Sequence, residues 1–150
     1  SIDTNLYLVV KGTLRIFLLE DEEEHTIRFG YQNKLIAALD SFLSEKPSDL
    51  YIQALKQVEL KSIRKKDYYD FMDSSPENQQ LWMTVLENFT LQQMEREADI
   101  LTNSPAKRYE RVLARSPQLF QEVPHKYIAS YLRMTPETLS RIKTGLQKNV

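Results

Sequence analysis

The stretch VPHKYIASYLRMTPETLSRIKTGL, residues 123–146, carries two helix starts in close succession. Pro124 suits the first turn of a helix running to about Leu132, because a proline there gives up only an N–H that has no intrahelical partner. Ile128, Ala129 and Leu132 share one face of that helix. A break follows at Arg133 and Met134. Thr135 is then a helix N-cap, Pro136 the first helical residue, and Glu137 an acid beside the positive end of the helix dipole. Leu139, Ile142 and Leu146, spaced three and four apart, face inward, which leaves Glu137, Thr138, Arg141 and Lys143 outside. Two short helices joined by a short turn, the second basic on its outer face, have the shape that a DNA major groove accepts. On that expectation the candidate DNA-contacting residues are Lys126, Thr135, Pro136, Glu137, Thr138, Ser140, Arg141 and Lys143. Arg141 would hold guanine O6 and N7, and Glu137 would accept from cytosine N4. Thr138 and Ser140 would touch phosphate or a thymine methyl, and Lys126 and Lys143 would meet phosphates. Taken singly, each is equally an ordinary solvated side chain. The combination of caps, turn and basic face is what singles them out.

Charge along the chain points the same way. Residues 106–150 hold nine Lys and Arg (Lys107, Arg108, Arg111, Arg115, Lys126, Arg133, Arg141, Lys143, Lys148) against Glu110, Glu122 and Glu137, a net +6 within a chain of −1 overall. The residues before them therefore carry −7. A basic module tied to an acidic one suggests a polyanion for the basic end, although uneven surface charge alone would give the same count.

Working back toward the start, the first third reads as strands. Leu14, Ile16 and Leu18 alternate with Arg15 and Phe17, the pattern of a half-buried strand. Residues 6–10 form an apolar run before it, with Lys11-Gly12 as a tight turn between the two. Residues 21–24 are an acidic loop tip, and residues 25–29 return as a strand with Ile27 and Phe29 on one face. Residues 51–55 and 57–63 are read as a further pair, with Val58 and Leu60 inside. Such an antiparallel hairpin series closes as a rolled sheet. Arg64-Lys65-Lys66 is a solvated strand end, and residues 67–72 a short helix.

Ser75-Pro76-Glu77 starts a helix of about 27 residues, long for a small domain. Leu91, Met94, Ala98 and Leu101 form a seam on it for a second copy, while Leu81, Val85 and Phe89 would face the sheet. Asn103-Ser104-Pro105 ends that helix and opens another at residues 107–114. The organisation expected is α+β, in three parts: a β-rich domain at 1–74, a dimerisation helix at 75–103, and a helical DNA-binding domain at 104–150.

The same sequence excludes much. There is no cysteine, so disulfides and thiolate metal sites are out, and a reducing cytoplasm is the expected location. No apolar run is long enough for a membrane span, and Ser1 leads into a strand pattern and not a signal peptide. Neither His25 nor His125 has metal-ligand spacing, and no glycine-rich phosphate loop or GxSxG is present. Asp67-Tyr68-Tyr69-Asp70 reads as a short amphipathic helix. No catalytic residue, metal or cofactor is expected. The alternative to a DNA reader is a small-molecule sensor acting through protein–protein contact, with the basic end as its docking surface; a third reading is a purely structural dimerisation protein.

TPETLSRI, preceded by VPHKYIASYLRM, resembles the helix-turn-helix of the Crp/Fnr (catabolite activator) family of bacterial transcription regulators, in its Bacteroidetes form. LYLVVKGTLRIFLLEDEEEHTIRF resembles that family's early strands around a Gly turn, and SPENQQLWMTVLENF the start of its long dimer helix. The resemblance implies an antiparallel jelly roll of the cyclic-nucleotide-binding kind at the N-terminus. It implies a Glu-Thr pair with Arg three residues on as the DNA-reading set, here Glu137, Thr138 and Arg141. It also implies a twofold homodimer on double-stranded DNA, with half-sites about 34 Å apart.

Departures from the family pattern are equally specific. The family holds a cyclic nucleotide with Gly-Glu and, about ten residues on, Arg. Ala37 and Ala38 stand at the first two positions and Ser48 at the third, with Lys46 nearby. Losing two charge-assisted contacts removes roughly 3–6 kcal/mol, or about two to four orders of magnitude in affinity. Cyclic AMP is therefore not expected to bind in the family's manner; the pocket is expected either to be empty or to hold a small-molecule effector that is less anionic. The family's leading helix and first strands have no counterpart ahead of Leu6. Arg133 stands where Gly is common in the interhelical turn, at about 1 kcal/mol if φ is positive. A wing after the second helix is expected to be short or absent.

Overall fold

The computed structural model describes residues 1–148. Six strands come early: β1 (Asn5–Lys11), β2 (Thr13–Glu20), β3 (Glu23–Tyr31), β4 (Leu35–Ile36), then, after helix α1 (Leu39–Ser44), β5 (Leu50–Ala54) and β6 (Glu59–Arg64). They form two three-stranded sheets, β4-β1-β6 and β3-β2-β5, with every pair antiparallel. Only β2 and β3 make the expected hairpin. β1 and β2 do not pair across Lys11-Gly12; the chain instead passes from one sheet to the other there. Likewise the arms read as a pair at 51–55 and 57–63 separate, β5 onto β2 and β6 onto β1. The β1–β2 arm and the β5–β6 arm thus run antiparallel to each other and turn the same corner together. At that corner Gly12 has φ +91°, and its α-carbon faces the Gln57 carbonyl.

Between the sheets lie Val9, Leu14, Ile16 and Ile36, all buried. β2 is buried on both faces over residues 13–17, which corrects the expectation of a half-buried strand. It is the central strand of its sheet, and its outer face is covered as well. Arg15, only 2% exposed, lies on that outer face. Its guanidinium bonds Gln53 at 2.7 Å and Glu24, and stacks on the rings of Phe17 (4.2 Å) and Tyr127 (4.3 Å). A bulge at Ile27 shifts the β2–β3 register, so Thr26, not Ile27, stands opposite Phe17 while Phe29 stands opposite Arg15. Val58 and Leu60 were expected inside; Val58 is half-buried and Leu60 is exposed. β6 is an edge strand, and little packs on its outer side.

The rest is helical: α2 (Lys65–Met72), α3 (Pro76–Leu101), α4 (Pro105–Arg115), α5 (Leu119–Glu122), α6 (His125–Tyr131) and α7 (Pro136–Lys148). α2 closes the end of the β domain with Tyr68 and Met72 against Phe42, Leu6 and Trp82. Lys65 departs from the solvated end read at 64–66: its ammonium lies 5.5 Å from the Phe42 ring and 2.8 Å from Glu45. α3 begins where Ser75 Oγ accepts from the Asn78 N–H at 3.1 Å, with Pro76 at its first position. Its 26 residues span about 39 Å. Leu81, expected against the sheet, is 48% exposed. Ser104 caps α4 through the Lys107 N–H. Among the described residues no helix is long and apolar enough to cross a membrane. The expected wing would follow α7 and falls outside the described residues.

Candidate nucleic-acid interface

α6 and α7 form a pair because their apolar positions converge. Ile128, Ala129, Leu132 and Leu139 are each no more than 1% exposed and share one cluster with Tyr109 and Val112 of α4 and Leu119 of α5. Burying a side chain of this size stabilises by about 1.5–3 kcal/mol. Phe29 of β3 joins this helical core and meets Tyr131 at a ring distance of 5.3 Å. Between the helices Arg133 takes φ +56°, the left-handed conformation that costs a non-glycine residue about 1 kcal/mol. Thr135 Oγ1 accepts from the Thr138 N–H at 3.2 Å, which is the N-cap of α7.

With Leu139 anchored inside, the opposite face of α7 is open. Thr135, Pro136, Glu137, Ser140 and Arg141 are exposed, as is Lys126 on α6. Thr138 and Lys143 are half-buried. Among the described residues none of Lys126, Glu137, Arg141 and Lys143 forms a salt bridge; the pairs that do form lie elsewhere, as in Arg64–Asp67 and Lys66–Asp70. The Thr138 hydroxyl is engaged with Thr135 at 3.0 Å and with the Arg141 guanidinium at 3.5 Å, so it orients Arg141 as much as it faces outward. Lys126 lies over the Tyr127 ring at 4.7 Å.

One residue of this surface was weighed in the sequence only as a metal ligand. His125 joins the two helices: Nε2 lies 3.1 Å from the Pro136 carbonyl and 3.3 Å from Ser140 Oγ, and Nδ1 lies 3.4 Å from Lys143 Nζ. Its position at a helix start, one turn below the basic face, was its only signal. Lys143 therefore has an internal neighbour, and its ammonium also lies 5.8 Å from the Phe120 ring.

The basic count also needs correction. Arg108 donates to the carbonyls of Thr102 (2.7 Å), Asn103 (3.0 Å), Leu132 (2.7 Å) and Arg133 (3.2 Å), so it ties the end of α3 to the turn between α6 and α7. Arg111 and Arg115 grip the buried carboxylate of Asp99 on α3. Three of the nine cations are thus structural: the several donors of Arg108 satisfy carbonyls at helix ends, and Arg111 and Arg115 share one buried carboxylate. Of the other six, Lys148 lies outside the residues whose side chains are described, and Lys107, Lys126, Arg133, Arg141 and Lys143 are left to meet a polyanion.

The β domain reaches this module directly. Ser130 Oγ on α6 accepts from the Thr26 N–H at 3.2 Å and donates to the Glu24 carbonyl at 3.1 Å. Arg15 stacks on Tyr127 of the same helix. On α3, Leu91, Met94 and Leu101 are 58%, 60% and 72% exposed, and Ala98 is exposed too. Met83, 54% exposed, extends that apolar stripe toward the start of the helix.

Residues 1–75 match the profile of the cyclic nucleotide-binding domain. The chain belongs to that family. No curated protein matches it by sequence. Among solved structures, FixK2 from Bradyrhizobium japonicum superposes with a TM-score of 0.77 at 16% identity, over 97% of this chain and 76% of that one. TTHB099, a transcriptional regulator of the CRP family from Thermus thermophilus, gives 0.68 at 16% identity, over 97% and 76%. A protein from Eubacterium rectale assigned to the Crp/Fnr family of transcriptional regulators gives 0.65 at 23% identity, over 97% and 70%. Identities this low carry the shared fold alone.

The family name implies a cyclic nucleotide, and the residues that the sequence reading sets at its contact positions do not fit one. Ala37 and Ala38 are buried and supply no polar side chain; Ala38 caps α1 without a side-chain bond. Ser48 Oγ donates to the Asp40 carboxylate at 2.9 Å, and Lys46 is exposed. A phosphate would meet the charge of Asp40 where the family pattern has Arg.

Proposed function

We propose that the protein is a dimeric, sequence-specific DNA-binding transcription regulator of the Crp/Fnr type whose cyclic-nucleotide pocket is degenerate. Residues 1–74 would be its sensor domain, 75–103 its dimerisation helix, and 104–150 its helix-turn-helix reader. The observation that carries this reading is the exposed Arg141, which has no carboxylate partner among the described residues and is flanked by Glu137 and Thr138 on a helix capped at Thr135. Such a helix can enter a major groove N-terminus first, with Arg141 on a guanine and Lys126, Ser140 and Lys143 along the phosphates. The apolar stripe through Leu91, Met94, Ala98 and Leu101 would meet its twofold mate, and the two readers would then address successive turns of the duplex.

The test is selection of a preferred duplex from random DNA, followed by binding measurements at several salt concentrations. Arg141→Ala should lower the preference for that duplex over random DNA by about 1–3 kcal/mol while leaving most of the salt-dependent, non-specific affinity intact. Equal preference in the variant and the parent overturns the assignment. The seam is tested separately by sedimentation: Met94→Glu should convert a dimer to a monomer, since a buried unpaired carboxylate opposite its own symmetry mate costs several kcal/mol. A parent protein that sediments as a monomer refutes the dimer.

A further inference from the structure

A cavity of about 450 Å³, a size suited to a small ligand, opens between β3, α3 and the start of the helical module. None of Ala37, Ala38, Lys46 and Ser48 lines it, so it is distinct from the degenerate nucleotide pocket. Its walls combine Arg28, Lys34, Arg96 and Arg115 and one carboxylate, Glu95, with the rings of Tyr31, Phe89 and Tyr131. Two of these cations, the buried Arg96 and the half-buried Arg28, form no salt bridge among the described residues. Arg96 is 8% exposed and lies 3.8 Å over the Tyr131 ring; one nitrogen donates to the Thr26 carbonyl, while its buried Nε has no partner. Arg28 lies 5.8 Å from the Phe89 ring and, among the described residues, has neither a carboxylate nor a hydrogen-bond acceptor. Burial pulls both guanidinium pKa values below the ordinary arginine range. The carboxylates within reach are already taken: Asp99 by Arg111 and Arg115, and Glu95 by Arg115 at 3.4 Å. A desolvated guanidinium with open donors is costly unless something completes it, and a planar oxyanion matches its fork.

We propose that this cavity binds a planar aromatic ring bearing one oxyanion, with the anion on Arg28 and Arg96 and the ring among Phe89, Tyr31 and Tyr131. Tyr131 is the last residue of α6, so the ligand touches the β domain, the long helix and the helical module at once. The site stands whether or not α7 reads DNA.

Fluorescence titration of the full chain with naphthoate, naphthyl phosphate and neutral naphthamide tests it. At least one anion should bind about tenfold or more tightly than naphthamide, and the tighter of the two identifies the head group as carboxylate or phosphate. Arg28→Met should remove about tenfold or more of the anion's affinity while leaving naphthamide binding and the thermal midpoint unchanged. Arg28→Lys should fall between, since it keeps charge without the fork. The proposal fails if neither anion binds the parent, if naphthamide binds as tightly as both anions, or if Arg28→Met retains the anion.

Discussion

Gly12→Ala should destabilise the protein by about 3–5 kcal/mol and lower its thermal midpoint by about 10 °C. Two costs combine at this corner. Gly12 holds φ +91°, which an L side chain resists. An added Cβ would also sit 2.2 Å from the Gln57 carbonyl oxygen and 3.0 Å from the Val58 α-carbon. Both obstacles are backbone, so neither can swing aside as a side-chain tip would. Relief comes only by parting the β1–β2 arm from the β5–β6 arm, which weakens both sheets together. Gly12→Asn separates the two costs, because asparagine tolerates positive φ but still carries a Cβ. If crowding dominates, the asparagine variant melts as early as the alanine one. An alanine variant within about 1 kcal/mol of the parent, by denaturant unfolding, would mean that the corner is loose and the two arms are not in register there.

The corner shows why the β domain was only partly legible. Lys11-Gly12 has the composition of a hairpin turn, and local sequence supports that choice. What decides against it is pairing with residues 59–64, some fifty positions later, and no local pattern reports a partner so distant. The helix ends are the opposite case. Ser75, Ser104 and Thr135 cap through their own side chains to an N–H three residues on, so the information is contained within four residues. The candidate interface divides along the same line. The outward set on α7 follows from periodicity. The burial of Arg15 and Arg96, and the use of Arg108, Arg111 and Arg115 as internal ties, depend on acceptors in other elements. In a charge count these five look like surface, and only the fold reveals which cations remain outside.

Those internal ties set the last expectation, at Asp99. Its carboxylate is 1% exposed on α3 and receives the Arg111 Nε at 2.9 Å and both terminal nitrogens of Arg115 from α4. Replacing it by Asn keeps the volume but leaves two guanidiniums facing a neutral amide, so a loss of about 3–5 kcal/mol is expected from denaturant unfolding at pH 7. Arg111 and Arg115 retain partial solvent access, 44% and 25%, which places the loss toward the lower end. The pH dependence follows from the balance on the carboxylate. Burial alone would raise its pKa, but the hydrogen bonds from Arg115 and Arg111 outweigh that and hold it below the ordinary aspartate value. A carboxylate depressed in the folded state stabilises above its unfolded pKa, near 4, and that contribution disappears as pH falls through the lower folded value. The gap between the parent and Asp99→Asn should therefore be constant above about pH 5 and close progressively below pH 4. A gap equally wide at pH 3 and pH 7 would show that Asp99 contributes by packing and not by charge. Since this cluster is a charged link between the long helix and the helical module, a gap that closes with acid also means the module's seat on α3 loosens in the same range.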